Sequence, residues 1–393
     1  MCETATPAIP CGEGPRLITP LADLCLESVA ANFERRRCLD ALPPQYVSRG
    51  LALLPLDLPL EVAGSLGVPD DEVYWRRRAC ARWRNPCPEA HGGSWKQMYF
   101  ERNLQDALEG FGGPGGVGEE DLRRLMTYSR RFVVHLCVRR LPSHLDLQII
   151  FDAMVNSPAG LSLCYGMKGV GMEYERTLFG MKLSDCRSLA RALERTETLT
   201  YLDLSSNLLD DDKTRMLASG LVDNISITHL DLSHNKVADR GVRALARVLD
   251  GRSVVATLSL YDNHVHREGG RALARALRGN KSIRDLNLRL NRLGEEGCRS
   301  VVDALRANES LRRLNLSAND AGELTAEAMS AVLRRNTVLA ELDLSSNAIG
   351  DVGGAAIRAA LEENSVLRRL DLRDSGVGTD EEAAIEVGGW PAN

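Results

Sequence analysis

Hydrophobic residues between positions 199 and 377 return in one pattern at a constant interval. The stretch LTYLDLSSNLLDDD contains Leu199, Leu202, Leu204, Asn207 and Leu209. The same L-x-x-L-x-L-x-x-N-x-L arrangement begins again every 28 residues, at Ile227, Val255, Ile283, Leu311, Leu339 and Leu367. Apolar and polar residues alternate at the start of each copy, and this alternation predicts one short β-strand per copy.

A second pattern, with apolar residues at helical spacing, fills the rest of each copy. One position is leucine in six consecutive copies: Leu221, Leu249, Leu277, Leu305, Leu333 and Leu361. Another apolar residue stands four positions earlier, so a helix would turn both side chains toward one core. Asparagines follow the helical pattern where the chain must leave the helix, at Asn224, Asn280, Asn308, Asn336 and Asn364. Each copy is therefore predicted to be strand, turn, helix and turn.

Repeats of this length and consensus are typical of leucine-rich repeats. Parallel strands lie about 4.8 Å apart and helices are too wide for that spacing, so stacked copies must curve. We therefore predict an α/β fold, a leucine-rich-repeat solenoid of the ribonuclease-inhibitor-like horseshoe type, with a parallel sheet inside and helices outside. FVVHLCVRRL (132–141) and AGLSLCYG (159–166) predict two less regular strands at the N-terminal end of the same sheet.

One asparagine recurs just after each predicted strand. The residues are Asn207, Asn235, Asn263, Asn291, Asn319 and Asn347, and the last copy has Ser375 instead. An amide side chain carries both a donor and an acceptor, so stacked copies can satisfy backbone groups where the strand bends. We assign this asparagine ladder a scaffold role.

The chain before the repeats has a different character, and its domains are predicted as follows. They are a disordered N-terminus (1–16), a small, mostly helical docking domain (17–109), a glycine-rich linker (110–120) and the leucine-rich-repeat domain (121–393), regular from about 199. Trp75, Trp83 and Trp95 suggest an aromatic core or a protein-docking face in the helical domain. The linker sequence GFGGPGGVG lacks the Gly-Lys-Ser/Thr ending of a phosphate loop.

Composition and charge argue against nucleic-acid-binding, membrane-spanning and secreted proteins. A net charge of −5 gives no global basic field for nucleic acid. No apolar run approaches membrane length, and the N-terminus lacks the layout of a secretion signal, so we expect a cytoplasmic protein. The ten cysteines have no recurring spacing, which favours reduced thiols over a disulfide framework.

Catalytic and metal sites have little support. Cys80, Cys87 and His91 could suggest zinc, but C-x6-C-x3-H is not a known zinc spacing and a fourth ligand is missing nearby. A Cys-His nucleophile would need a third, orienting group. His229 and His234, expected on one strand, are taken as solvated or packed residues. We predict no enzyme activity, metal, cofactor or small-molecule substrate.

The concave face of the predicted horseshoe can be listed because side chains alternate along each strand. One row contains Tyr201, His229, Thr257, Asp285, Arg313, Glu341 and Arg369, and its last four members alternate in sign and can pair. The next row begins with Asp203 and Asp231, side by side. Like charges on neighbouring strands repel unless a basic group binds between them. We expect both side chains to be exposed, and the alternative is that aspartate is simply common at this position of such repeats and stays solvated at little cost. The candidate partner-binding residues are Asp203, Asp231, Tyr201, His229, Tyr261 and Arg289.

Segments outside the repeat pattern carry a resemblance to a known family. They are LADLCLESVAANF, ALPPQ, LDLPLEVAGSL, YWRRRACARW, HGGSWKQMYFERNL (91–104), GMEYERTLF and LDDDKTRML. In order, from about residue 17 to about residue 377, the chain resembles the leucine-rich-repeat subunit of the nexin-dynein regulatory complex, the T-complex-associated testis-expressed protein family of animals. The short N-terminus and the ending EEAAIEVGGWPAN depart from it.

The resemblance implies a structural subunit of the axoneme of a cilium or flagellum. Such a subunit would bind other subunits of the complex, coiled-coil and leucine-rich-repeat proteins among them, and would contact the doublet microtubule directly or indirectly. The alternative is an F-box-like substrate receptor of a ubiquitin ligase, suggested by the order and spacing of the segments LPPQ...ARWRN...SWKQMYFERNL. Co-purification with axonemes or with a ligase adaptor discriminates the two.

Overall fold

The chain divides into two compact units between Tyr99 and Phe100. The computed structural model describes residues 20–39, 41–66, 71–112, 116–142, 145–154, 157–166, 179–249 and 252–378. The predicted disordered N-terminus (1–16), part of the predicted linker, most of GMEYERTLF and the ending EEAAIEVGGWPAN lie outside these residues. The predicted domain boundaries at 109 and 120 stay predictions.

The first unit is helical in its described part. Its helices are Leu21–Ala31 (α1), Pro44–Leu53 (α2), Leu60–Gly64 (α3), Glu72–Arg82 (α4) and the start of Trp95–Glu109 (α5), which crosses the division. Pro20, Pro43 and Pro59 stand immediately before α1, α2 and α3 with φ from −55° to −51°. Proline fixes φ in this range and lacks an N–H, so it suits the residue where a helix begins.

Aromatic rings around a buried arginine form the centre of the first unit. Tyr74 and Trp75 are fully buried. The Arg78 guanidinium donates from Nε to the Tyr99 hydroxyl (3.0 Å) and from Nη1 to the Tyr74 hydroxyl (3.1 Å). Its Nη2 donates to the Leu58 carbonyl (2.8 Å). Burial raises the pKa of the Tyr74 hydroxyl, which stays neutral at physiological pH. The arginine therefore ties two helices and a loop together.

The second unit contains a parallel sheet and the helices that connect its strands. Within the described residues its strands are His135–Leu141 (β1), Gly160–Tyr165 (β2), Tyr201–Asp203 (β3), His229–Asp231 (β4), Thr257–Ser259 (β5), Asp285–Asn287 (β6), Arg313–Asn315 (β7), Glu341–Asp343 (β8) and Arg369–Asp371 (β9). The helices after α5 are Glu119–Ser129 (α6), Leu147–Ala153 (α7), Leu183–Leu193 (α8), Asp211–Leu221 (α9), Asp239–Val248 (α10), Arg267–Gly279 (α11), Gly294–Ala304 (α12), Glu323–Leu333 (α13) and Gly350–Leu361 (α14).

The strands pair in sequence order from β1 to β9, all parallel. The predicted leucine-rich-repeat solenoid is confirmed, and the two less regular segments form β1 and β2. In β3 to β8 the middle residue, such as Leu230 or Leu258, is directed into the core and buried. Leucines of the helices, such as Leu245 and Leu273, close the core from the other side. We call the face of the sheet away from the helices the concave face.

The asparagines after the strands join neighbouring repeats, and we call them the first ladder. Asn263 is 3% exposed. Its Nδ2 donates to the carbonyl of Leu232 in the previous repeat (2.9 Å) and to that of Leu260 in its own (3.2 Å). Its Oδ1 accepts from the Val237 N–H of the previous repeat (2.9 Å). The amide thus replaces backbone partners that the turn removes.

The residue before each of these asparagines is left-handed. Its φ lies between +52° and +60° in seven consecutive repeats, at Ser206, His234, Asp262, Leu290, Ala318, Ser346 and Asp374. This conformation costs an L-residue about 1–2 kcal/mol, and least for asparagine and aspartate. The first ladder holds the turn in that conformation.

The asparagines after the helices form a second ladder, which the sequence had indicated only as helix ends. Asn280 donates from Nδ2 to the carbonyl of Leu249 in the previous repeat (3.1 Å). Its Oδ1 accepts from the N–H groups of Ser282 and Ile283 (2.9 and 2.7 Å). Asn224, Asn308, Asn336 and Asn364 make the same contacts. The second ladder fixes the loops that lead into β4 and β6 to β9.

Loss of one amide from the first ladder should destabilise the fold. Asn263→Leu leaves the Val237 N–H and several carbonyls buried without partners, and we expect the free energy of unfolding to fall by about 1–3 kcal/mol. Urea denaturation measures the change. His264→Leu, an exposed neighbour in the same turn, is the matched control and should change the value little. Equal stability of Asn263→Leu and the parent would contradict the role of the ladder.

The left-handed position also gives a stabilising substitution. Leu290 is 42% exposed at φ +56°. Because asparagine tolerates this conformation better, Leu290→Asn should raise the free energy of unfolding by about 0.5–1 kcal/mol. Leu324→Asn, at another exposed leucine that lies in α13, is the control and should give no gain. The same change in melting temperature for both variants would count against the conformational explanation.

Candidate partner-binding surface

Side chains of the concave face lie in rows that cross the sheet. Tyr201 pairs in register with His229, and Asp203 with Asp231. The rows continue strand by strand to Arg369 and Asp371. Because every step is 28 residues without insertion, one position of the repeat occupies one row. The six candidate residues thus lie in three adjacent rows, with Tyr261 and Arg289 just past the ends of β5 and β6.

Aromatic and acidic side chains meet at the N-terminal end of these rows. The Tyr201 and His229 rings lie 6.1 Å apart, and Tyr201 is 37% exposed. Burial and the nearby carboxylates of Asp203 and Asp231 raise the pKa of the Tyr201 hydroxyl. This end of the face therefore offers rings beside a pair of negative charges.

The two aspartates also have a local structural role. Asp203 Oδ1 accepts from the Ser205 N–H (2.8 Å), and Asp231 Oδ1 accepts from the Ser233 N–H (2.8 Å). Asn287 makes the same contact with the Arg289 N–H (3.0 Å). A side-chain oxygen two residues before an N–H stabilises the turn, and an uncharged amide supplies it as well as a carboxylate. The contact does not require a negative charge.

The exposure of this pair differs from expectation. The sequence treats Asp203 and Asp231 as exposed, but both are half-buried, because each side chain bends toward its own turn. Further along the row, Asp343 accepts a hydrogen bond from Asn315 of the neighbouring strand (2.7 Å). Asp203 lies opposite Asp231 as Asp343 lies opposite Asp371, and such pairs are unfavourable by a few tenths to about one kcal/mol. Within the described residues, only the second pair has an arginine partner, Arg373 on Asp371.

Tyr261 and Arg289 belong to a separate cluster at the strand ends. The Arg289 guanidinium lies 5.8 Å from the centre of the Tyr261 ring, and His234 meets the other edge of that ring at 4.7 Å. His234 Nδ1 is 2.8 Å from Asp262 Oδ2. The expectation that His234 lies on the strand of His229 is wrong: β4 ends at Asp231, and His234 occupies the left-handed position of the turn.

The charged pairs predicted along the first row are formed in part. Arg313 contacts the Asp285 carboxylate of the neighbouring strand. That carboxylate raises the pKa of the guanidinium. Beyond the row, Arg373 binds Asp371 and holds the pKa of that carboxyl below its usual range. Ion pairs therefore occupy several charges at the C-terminal end of the face, unlike the two opposed aspartates at the other end.

Residues of β1 and β2 extend the rows, and the sequence did not identify them as part of this face. Gly160 pairs with both His135 and Tyr201, and Ser162 pairs with Asp203. A Cβ on Gly160 would lie 2.1 Å from the His135 imidazole, so the glycine makes room for that ring. The spacing between β1, β2 and β3 departs from 28 residues, and for this reason the repeat could not give their register.

The cysteine and histidine residues considered above as metal ligands or nucleophiles do not form a metal-binding group in the described part of the chain. Among the described residues, no three His, Cys, Asp or Glu side chains are grouped to hold a metal ion. Cys87 Sγ instead lies 2.9 Å from the Glu89 carboxylate. Burial raises the pKa of the Cys186 thiol to about 12, which leaves it protonated. Across all the residues that the structure describes, no helix is long and apolar enough to cross a membrane.

Comparisons with known proteins agree with this architecture. A family model described as "Leucine Rich repeat" matches residues 223–246, 279–302 and 335–357. The chain is 60% identical over 202 residues to "Dynein regulatory complex subunit 5" of Chlamydomonas reinhardtii, covering 51% of each protein. It is 34% identical to the proteins of that name in Mus musculus, over 233 residues, and Homo sapiens, over 232, covering 52% of this chain and 46% of each relative.

The chain spans about half the length of the curated relatives it matches. Among solved structures, "Leiomodin-1 Actin-Binding Site 2 (ABS2)" is 18% identical with a TM-score of 0.33, covering 37% of this chain and 84% of that one. The predicted resemblance is confirmed: this chain is a leucine-rich-repeat protein similar to dynein regulatory complex subunit 5.

Proposed function

We propose that this chain is a structural subunit of the axonemal dynein regulatory complex, also called the nexin-dynein regulatory complex. In that role it is a protein-interaction scaffold that helps to link outer doublet microtubules and to regulate dynein-driven ciliary motility. The observation that carries the proposal is the 60% identity over 202 residues to the Chlamydomonas relative of that name. The repeat scaffold supports it, because its ladders hold an extended binding surface in place before any partner arrives.

We propose a non-enzymatic role, and the way the concave face uses its polar groups supports it. The carboxylates of Asp203 and Asp231 accept backbone N–H groups, and Asp285 binds Arg313. Side chains occupied in this way shape the surface, and we propose that the chain acts by binding alone. Nothing in the comparisons supports the ubiquitin-ligase alternative.

The partners we propose are other subunits of the complex, with coiled-coil and leucine-rich-repeat subunits among them. Contact with the doublet microtubule is direct or through those subunits. The helical segment from 17 to 109 is the second docking element in this proposal. The site of action is the axoneme of a cilium or flagellum.

Axonemal retention tests the assignment. A tagged copy of the chain, expressed in Chlamydomonas cells that lack their own subunit 5, should remain with axonemes after detergent extraction and should co-purify with the other complex subunits. A chain found only in the detergent-soluble fraction, or one that co-purifies with a ubiquitin-ligase adaptor, would overturn it.

Within this proposal, the end of the concave face around Asp203 and Asp231 binds a basic or helical segment of another subunit. Two carboxylates opposed across neighbouring strands would gain from a cation placed between them. The Tyr201 and His229 rings beside them add apolar contact area for such a segment.

The double variant Asp203→Asn with Asp231→Asn tests the charge alone. Asparagine keeps the oxygen that accepts the Ser205 and Ser233 N–H groups, as Asn287 does in its own repeat. We expect thermal unfolding at the parent temperature or slightly above it, because the repulsion is removed, and a loss of incorporation into the complex that is greatest at low salt, where charges are least screened. Lysine substitutions would remove the turn contacts as well and would confuse the two effects.

A matched control is Asp343→Asn with Asp371→Asn, at the same position of the last two repeats. It removes the same charge from the same row, at the end where Asp371 already binds Arg373. Incorporation of this control should equal that of the parent. If the Asp203 and Asp231 variant also assembles as well as the parent at low and high salt, the acidic end is not the docking site.

A further inference from the structure

A groove lies along the edge of the sheet where strands β6 to β9 begin. It is lined by Lys281, Arg284, Glu309, Ser310, Arg312, Thr337, Val338, Ala340, Ser365, Val366 and Arg368. We call it the basic groove, because four of these residues are basic and one is acidic. It is separate from the concave-face rows considered above: Arg284, Arg312 and Arg368 each stand one residue before a strand.

The second ladder builds the walls of the basic groove. The lining residues come from four copies of one loop, which follows Asn280, Asn308, Asn336 and Asn364. In each copy the asparagine Oδ1 accepts from two N–H groups of that loop, and its Nδ2 holds a carbonyl of the previous repeat. The four loops are therefore held in one repeated conformation, and side chains at a given loop position lie in a line.

The basic side chains of the groove are exposed and available. Lys281, Arg284, Arg312 and Arg368 are all exposed. None of the four forms a salt bridge within the described ranges of the chain, whereas the neighbouring Arg313 binds Asp285. Like charges gathered along one groove raise the local positive potential and attract anions.

The fold itself does not require these charges. The position of Arg284 and Arg312 is occupied by Thr200, Thr228 and Ala256 in the earlier repeats. Those residues make the same backbone contacts: the Thr228 carbonyl accepts from the next strand as the Arg284 carbonyl does. Arginine at this position is thus not explained by the scaffold, and it is confined to the repeats that form the groove.

We propose that the basic groove binds an extended, acidic segment of a partner protein, rich in glutamate or aspartate. The four basic side chains lie on three of the four loops, those before β6, β7 and β9, and the loop before β8 has Ala340 at the arginine position. Together they extend over three strand spacings of about 4.8 Å each, a length that suits a chain carrying several carboxylates better than one small anion. Val338, Val366 and Ala340 give the groove an apolar floor, which fits the aliphatic parts of a peptide. This surface would serve an interaction scaffold, but its test does not depend on membership in the axonemal complex.

Peptide binding to the full chain tests the proposal. The probe is a fluorescein-labelled decaglutamate peptide, followed by fluorescence anisotropy at about 50 mM and about 200 mM salt, since screening weakens exposed charge contacts. The variant is Arg284→Gln with Arg312→Gln. We expect it to bind about tenfold more weakly than the parent at the lower salt concentration, because two of the four groove cations are gone. Arg368→Gln alone should weaken binding about threefold.

The control carries the same charge change elsewhere on the second unit. Arg243→Gln with Arg247→Gln alters two exposed arginines of α10, and it should bind the peptide within about twofold of the parent because the groove is intact. Thermal unfolding by circular dichroism checks that every variant is folded. If the groove variant does not fold, Arg368→Gln gives the result.

Two outcomes would overturn the proposal. Equal weakening in the groove variant and the α10 control would show general attraction between opposite charges with no groove site. Tighter binding of a single-stranded deoxythymidine oligonucleotide of equal charge, lost in the groove variant, would assign the groove to nucleic acid instead. Because the readout is binding by the isolated chain, a failure here leaves the axonemal retention experiment unaffected.

Discussion

The fold depends on side-chain amides that reach back into the preceding repeat. Asn263 in the first ladder and Asn280 in the second each donate to a carbonyl 31 residues earlier. A three-residue strand cannot hold neighbouring repeats in register by itself, and buried backbone groups at both of its ends would be left unpaired. The first ladder supplies these partners after β3 to β8, and the second supplies them before β4 and β6 to β9, so most repeats are oriented by the repeat before them.

This arrangement separates scaffold positions from recognition positions. The turn after the strand stays left-handed whether the residue is Ser206, Asp262 or Leu290, because the adjacent asparagine of the first ladder holds it. Exposed positions can then vary in charge at little cost to stability. A surface held in this way loses little conformational freedom on binding, which favours affinity. The variation from Thr228 to Arg284 at one repeat position is an example of that freedom.

The sequence predicted the solenoid well because its signal is a strict period. One alignment of the 28-residue copies gives the strands, the core leucines and the rows from Tyr201 to Arg369. The same period could not place His135 or Gly160, since the intervals between β1, β2 and β3 differ from it. Nor could the period show that Asp203 has two roles, a negative charge on the surface and an oxygen that accepts a turn N–H. In the sequence, a carboxylate with such a contact looks like any other acidic residue.

The second ladder and the basic groove were not predicted because both depend on the conformation of loops. Asn280 ends a helix, and its Oδ1 caps the loop that follows in the same repeat. Its Nδ2 bond to the Leu249 carbonyl alone depends on another repeat. The basic groove has the same origin, since Arg284 and Arg312 become neighbours only when that loop is held identically in consecutive repeats. On this scaffold an acidic pair and a basic row occupy opposite ends of one array of repeats. The two proposed binding sites therefore use different repeats, and partners of opposite charge would not compete for the same surface.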